Sequence, residues 1–309
     1  MKFLSIFLIS LVLVSCTPAI AEMAETPTIP IPSPSPTAIP TLTPVPDFVV
    51  VGAGDIAECS NDGDELTASL LDNIPGTVFT TGDNAYPKGV AEDFTNCYDP
   101  SWGRHKARTY PSPGNHDYRT NDAKGYFEYF GSQAGDPTKG YYSYDLGVWH
   151  IVVLNSNIPV EVGSPQEQWL RADLAAHPAV CTLAYWHHPL FSSGFKHGGD
   201  SDMRPLWQAL YDYGADVVLN GHEHNYERFA LQDPQGTADP ARGIRQFVIG
   251  TGGGKPYEFG EPVANSEIRN TGTYGVLKLI LHPASYSWEF VPETDGTFTD
   301  SGTAPCVTP

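Results

Sequence analysis

Aspartate, asparagine, tyrosine and histidine recur in this chain beside glycine, at the ends of short apolar runs. Asp55 follows Phe48-Val-Val-Val51 and Gly52-Ala-Gly54, and Gly82-Asp83-Asn84-Ala85-Tyr86 closes a run that starts at Thr77. Gly114-Asn115-His116-Asp117, His187-His188-Pro189, His197 and Gly221-His222-Glu223-His224 complete the set. These side chains offer oxygen and nitrogen donors of hard to borderline character. Such donors suit Fe(III), Fe(II), Mn, Zn or Mg, and no thiolate stands among them. A glycine ahead of the Asp or His lets the backbone turn sharply and approach an ion. His222 and His224, two apart, reach two different ions if the chain between them is extended. Singly, each fragment has a plainer reading: Gly-Asp as a turn, His-x-His as a surface pair, Tyr86 as packing. Those readings do not account for the order D, GDxxY, GNHD, H, GHxH along one chain.

That order resembles the calcineurin-like metallophosphoesterase superfamily. Tyr86, three residues after Asp83, resembles the purple acid phosphatase branch, and the resemblance covers residues 47–309. It implies a four-layer sandwich, two packed mixed β-sheets flanked by helices. It implies two metal ions. Asp55, Tyr86 and His224 would hold the first, Fe(III) with a tyrosinate ligand and a charge-transfer colour. Asp83 would bridge, and Asn115, His187 and His222 would hold the second, Fe(II), Zn or Mn. His187 is chosen over His188 because the family pattern is His-x-Pro. His116 and His197 fall where the family has its catalytic histidines.

Two cations about 3.5–4 Å apart clamp both oxygens of an in-line phosphoryl displacement. A metal-held water is acidified toward hydroxide at neutral pH. The implied reaction is therefore direct attack on phosphorus, without a phospho-enzyme. Protonated His116 and His197 would stabilise the transferring group, and one would protonate the leaving group. Asp117 is read either as the residue orienting His116 or as a turn residue. His188 is read as packed rather than a substrate contact, and Tyr118 and Tyr226 as lining the mouth. The implied activity is an acid phosphatase-like phosphomonoesterase. A phosphodiesterase or nucleotidase on the same site is the alternative. A non-catalytic binding protein is disfavoured, because all seven ligand positions are filled.

The elements that must position these residues are legible in outline. Phe48–Val51 is a continuous apolar run, and Thr182–Trp186 and Asp216–Leu219 are short and mainly apolar, as strands buried on both faces of an α/β sheet are. Polar residues at strand C-termini are where such sheets place their sites. Helices are expected over Glu65–Asn73, Pro165–Ala176 and Pro205–Tyr213. The second has Ser164 as N-cap, Pro165 at its first position and Glu167 as the capping-box acid. Alternating strands are expected over Tyr141–Leu146, Trp149–Leu154, Arg245–Ile249, Tyr274–Leu281 and Tyr286–Val291. Two sheets face to face with helices outside would use this list, in one domain spanning 47–309.

The front of the chain reads differently. Residues 1–15 have one lysine and then a short apolar run, too short to span a bilayer and typical of a signal peptide. The run ends in Leu13-Val-Ser-Cys16, which looks like a bacterial lipobox with Cys16 the lipidated residue; cleavage near Ala21 is the alternative. Nine of the thirty residues 17–46 are proline, so 16–46 reads as an extended spacer. The expected location is a bacterial cell surface or periplasm, with secretion as the alternative. Cys59, Cys97, Cys181 and Cys306 then suggest two disulfides in an exported chain. Of three possible pairings, Cys59–Cys97 and Cys181–Cys306 are preferred: one joins loops after site-bearing strands, the other pins the tail to a core strand. With 17 basic and 36 acidic residues the net charge is −19, which disfavours nucleic-acid polymers. The expected partner is a small phosphate ester, with membrane contact only through the lipid.

Overall fold

The computed structural model describes residues 10, 11, 13–16, 18 and 46–307. The expected signal peptide and spacer fall largely outside those residues, while Cys16 is described as exposed and free. Residues from Pro44 onward form one unit.

Three parallel strands open it: β1 (Phe48–Ala53), β2 (Thr77–Thr81) and β3 (Thr109–Ser112). Seven more follow: β4 (Tyr142–Leu146), β5 (Trp149–Val153), β6 (Cys181–Tyr185), β7 (Val217–Asn220), β8 (Tyr226–Phe229), β9 (Arg245–Ile249) and β10 (Ser266–Asn270). They form one mixed sheet in the order β10-β8-β9-β7-β6-β5-β4. The last three, β11 (Gly275–His282), β12 (Ser285–Pro292) and β13 (Ser301–Pro305), return to the first sheet. Its order is β13-β12-β11-β1-β2-β3, with β11 antiparallel to β1. The helices are α1 (Gly63–Leu71), the short α2 (Ala91–Asp93), α3 (Lys124–Phe130), α4 (Pro165–Ala176) and α5 (Arg204–Asp212). Two mixed sheets flanked by helices are the expected architecture.

Alternation within the apolar strands builds the layers. Ile151, Val153, Leu183, Tyr185, Val217 and Leu219 face the inter-sheet core with Leu277, Leu279 and Phe290. Their sequence neighbours Val152, Leu154, Ala184, Trp186 and Val218 face Leu170 and Leu174 of α4 and Leu206, Trp207 and Leu210 of α5. Both faces of the central strands are thus covered, which is why those runs are mainly apolar.

Local chemistry sets the helix ends. Ser164 Oγ accepts the Glu167 N–H at 3.2 Å. The reciprocal bond differs from a simple capping box: Glu167 Oε2 accepts the N–H of Gly163, at 3.0 Å. Cys59 is joined to Cys97, and Cys181 to Cys306. The first ties the loop after β1 to the segment after β2. The second fastens the chain end to β6, where the Val307 N–H also donates to Asp216 Oδ1 at 2.6 Å.

Candidate metal centre

Five parallel strands deliver the seven expected ligands from their C-terminal ends. Asp55 follows β1, Asp83 and Tyr86 follow β2, Asn115 follows β3, His187 follows β6, and His222 and His224 follow β7. The strands belong to both sheets, so the residues meet where the two sheets' C-terminal edges adjoin. The backbone is strained there: Asp55, Asp83 and His222 have φ of 58°, 51° and 72°. Non-glycine residues at positive φ are costly and gather at functional sites. The glycines leave room. A Cβ on Gly114 would stand 2.2 Å from Asp83 Oδ1, and one on Gly82 would stand 2.7 Å from His187 Nδ1.

Four ligand atoms converge around the tyrosine. Tyr86 Oη lies 3.0 Å from Asp55 Oδ1, 3.1 Å from Asp83 Oδ2 and 3.0 Å from His224 Nε2. His224 is turned so that Nδ1 donates to the Lys255 carbonyl at 2.8 Å, which leaves Nε2 with a lone pair. A second group adjoins the first through Asp83. His187 Nε2 lies 3.0 Å from Asn115 Oδ1, 3.4 Å from Asp83 Oδ2 and 3.1 Å from His222 Nδ1. His187 Nδ1 donates to the Thr81 carbonyl at 2.8 Å. Backbone carbonyls that hold one imidazole nitrogen and free the other are typical of metal-binding histidines.

The protons available are too few for these contacts. Around Tyr86, one phenolic hydrogen faces three acceptors. Asp55 and Asp83 are buried, and among the described residues their ion-pair partners are histidines, with no lysine or arginine. Buried carboxylates demand compensation. A cation in each group would supply it, and the oxygen and imidazole donors fit hard to borderline ions. Without a cation, protons fill the gap. Burial opposes charge on His187, but the adjacent Asp83 and Asp55 hold its pKa up at about 9. Burial, then the Asp55 and Asp83 charges, push the Tyr86 phenol well above its ordinary value. Burial and the neighbouring His187 and His188 push His222 down.

The remaining expected residues divide. The His116 N–H donates to Asp83 Oδ1 at 2.7 Å, and its ring lies 4.4 Å from that of Tyr86. Arg119, which can only donate, meets His116 Nε2 at 3.1 Å. The imidazole proton is then on Nδ1, facing the Pro87 carbonyl at 2.8 Å. His116 thus stands beside the guanidinium of Arg119, at the edge of the ligand cluster. His197 is exposed at the rim, its ring 4.1 Å from that of His222. Asp117 does not orient His116. Its Oδ2 accepts from the N–H of Gly114 at 2.8 Å and from Asn84 Nδ2 at 2.9 Å, holding the two ligand loops together. His188 is half-buried against His187 and His222, with Nδ1 2.7 Å from Ser156 Oγ. Tyr226 is not at the mouth. It lies in the inter-sheet core against Phe290, its hydroxyl donating to Asp300. The hydroxyl of Tyr118 accepts from Asn155 Nδ2 at 2.8 Å.

Three residues had no role assigned from sequence. Glu223 is fully buried between the two ligand histidines, and Oε1 accepts the N–H groups of His197 and Gly198 at 2.5 and 2.7 Å. Tyr257 stacks on His224 with ring centres 3.9 Å apart. Arg119 adjoins His116. For Glu223 the signal was its place inside Gly221-His-Glu-His224; for Arg119 and Tyr257 no local signal exists.

The calcineurin-like phosphoesterase family matches residues 42–226, and the chain belongs to that family. The curated relatives it matches include purple acid phosphatases of Arabidopsis thaliana and acid phosphatase type 7 of Homo sapiens. It is 29% identical to purple acid phosphatase 15 of Arabidopsis thaliana over 238 residues, 65% of this chain and 44% of the relative. It is 28% identical to purple acid phosphatase 23 of the same plant, over 77% of this chain and 58% of the relative. The chain spans about half the length of the curated relatives it matches. The purple acid phosphatase PPD1 from yellow lupin seeds shares the fold with a TM-score of 0.66 at 20% identity, over 84% of this chain and 54% of that one. GAP50 of Plasmodium shares it with a TM-score of 0.67 at 14% identity, over 84% and 89%.

Proposed function

We propose that this chain hydrolyses phosphoric monoesters at a dinuclear metal centre. The observation that carries the reading is the meeting of lone-pair donors without enough protons at Asp55, Asp83, Tyr86 and His224, and again at Asp83, Asn115, His187 and His222. Asp55, Tyr86 and His224 would hold one ion, Asn115, His187 and His222 the other, and Asp83 both. Fe(III) suits the tyrosine side; Fe(II), Zn or Mn suits the other. When bound, such ions draw charge from phosphoryl oxygens and acidify water.

The chain's own groups prepare the rest. The main-chain N–H of His222 holds Asp55 Oδ2 at 2.8 Å, and that of His116 holds Asp83 Oδ1. Both carboxylates are thereby aimed before any ligand arrives, which removes reorganisation from the reaction. Arg119 places a fixed positive charge beside His116, suited to an anionic ester. His197 stands at the solvent rim next to His222, within reach of a departing alkoxide that needs a proton. Glu223 holds the backbone of that loop.

A small phosphate ester remains the proposed substrate, and nucleic-acid polymers are disfavoured by the net charge of −19. Attachment through a lipid on Cys16 would hold this unit at a membrane surface. Mass spectrometry of the mature N-terminus tests that, and an unmodified residue downstream of Cys16 would overturn it. The enzymatic reading is tested by metal analysis, a visible spectrum, and turnover of an aryl monophosphate beside a bis-aryl phosphate. Two metals with faster monoester turnover support it. A protein that purifies with both metals and hydrolyses neither ester would refute catalysis, and faster diester turnover would refute the monoester assignment.

A further inference from the structure

A cavity of about 760 Å³ opens beside the second ligand group, with Asn115 and His188 in its wall. It is large enough for a small organic molecule. The wall away from the ligands carries three carboxylates, Glu161, Asp200 and Asp202, and the apolar side chains Ile158, Val160 and Met203. Asp200 Oδ1 accepts the Asp202 N–H at 3.0 Å. Among the described residues, none of the three carboxylates has an ion-pair partner. The one lysine or arginine in the lining, Arg204, donates to the neutral Pro234 carbonyl and keeps its charge, so three carboxylates outnumber one guanidinium there. The cations near the ligand cluster stand elsewhere: Arg119 against His116, and Lys196 over the Tyr257 ring. Neither lines this cavity. Positive groups therefore adjoin the ligands, and negative ones line the space that continues from them.

We infer that this cavity receives the alcohol portion of the ester and selects an organic cation, an amino alcohol or its methylated form, over an anion. The inference rests on the phosphomonoesterase reading above. An ammonium group on the alcohol meets unneutralised carboxylates within a Debye length. Its methylene and methyl groups cover Ile158, Val160 and Met203. An alcohol bearing a carboxylate or further phosphates meets like charge there and is rejected, which is how repulsion generates specificity. Glu161 and Asp202 are exposed, so their substitution leaves the core untouched.

The test uses the full metal-loaded chain and three monoesters of similar size: phosphocholine, glycerol 2-phosphate and 3-phosphoglycerate, with p-nitrophenyl phosphate as a general substrate. The expected order of kcat/KM is cationic, neutral, anionic, each step about tenfold at low salt and compressed in about 0.5 M NaCl. In the double variant Glu161→Gln/Asp202→Asn, the ratio of phosphocholine to 3-phosphoglycerate should fall at least tenfold. If the wild type hydrolyses p-nitrophenyl phosphate but treats the three esters alike, the inference fails while the phosphatase reading stands. An unchanged ratio in the double variant also overturns it. If the wild type hydrolyses none of the four, the phosphatase reading itself fails, and this inference with it.

Discussion

Tyr86 and Asp83 are the side chains on which the proposed chemistry is most exposed to test. Tyr86→Phe removes one donor from a group of four and leaves the ring in place. Its expected outcome is loss of any visible charge-transfer band with iron still bound at the neighbouring donors. An iron-loaded wild type without such a band would remove Tyr86 from the ligand set. Asp83→Asn takes one carboxylate from both groups at once. The expected result is loss of both metals by elemental analysis and a fall in turnover of at least about 100-fold; retention of two metals would exclude a bridging role. Glu223→Ala frees the N–H groups of His197 and Gly198. It should lower kcat about 10-fold while metal content stays at the wild-type level, a pattern expected of a residue that positions rather than ligates. Metal loss in that variant would instead make Glu223 a support of the ligand histidines. All seven ligand candidates were visible as residue types in order, because five sit beside a glycine or proline and the other two, His187 and His224, lie within three residues of one. Arg119 and Tyr257 were not: Arg119 is three residues from His116 but outside the motif, and Tyr257 meets His224 only through folding.

Strand ends and the turns after them decide whether those side chains meet. Gly114 lies where a Cβ would stand 2.2 Å from both the N and Oδ1 of Asp83. Gly114→Ala must displace the turn after β2 or the one after β3. The expected cost is about 2–4 kcal/mol, read as a lower urea midpoint, together with weakened metal binding; a wild-type midpoint and full metal content would show that the turns are loosely coupled. Ser164→Ala removes the N-cap of α4 and should cost about 1 kcal/mol without altering metal content, since α4 packs on the face away from the ligands. The expected elements that were found are the apolar or capped ones, such as α4 and β9. Those not anticipated were β3, β8, β10, β13 and the helices α2 and α3. Strand β3 contains a proline, β10 is Ser-Glu-Ile-Arg-Asn with alternating exposure, and β13 is a short edge strand rich in small residues. Pairing with a neighbour makes these segments strands, and pairing is not a local property.

Across the whole molecule, the fastening of the chain end to β6 has a pH signature. Burial pushes the Asp216 carboxyl up to about 7, against the backbone N–H groups of Thr182 and Val307, which favour its charge. An unfolded carboxyl titrates near 3.8. Between these values the folded chain keeps a proton that the unfolded chain gives up. The contribution to stability is therefore full below about pH 4 and lost as the pH rises through about 7. Urea unfolding of the wild type and Asp216→Asn should show the wild type losing ground to the variant from pH 4.5 to 8; a constant difference would refute a protonated Asp216. Removing the Cys181–Cys306 bridge, which spans 125 residues, should cost about 2–5 kcal/mol, measured by denaturant unfolding of the double serine variant. What the sequence determined alone was the candidate ligand set and the family it indicates, with the burial of the central strands on both faces. These depend on residue type and short spacing, and glycines, apolar runs and donor atoms keep their meaning wherever the chain goes. The tertiary structure alone decided which nitrogen of His187 and His224 is free, that Asp117 ties two loops rather than orienting His116, and that Tyr226 is core. It also placed unpaired carboxylates in the cavity beside the ligands. Each of these is a contact between segments far apart in the chain, and such contacts exist only once the strands from both sheets converge on one edge.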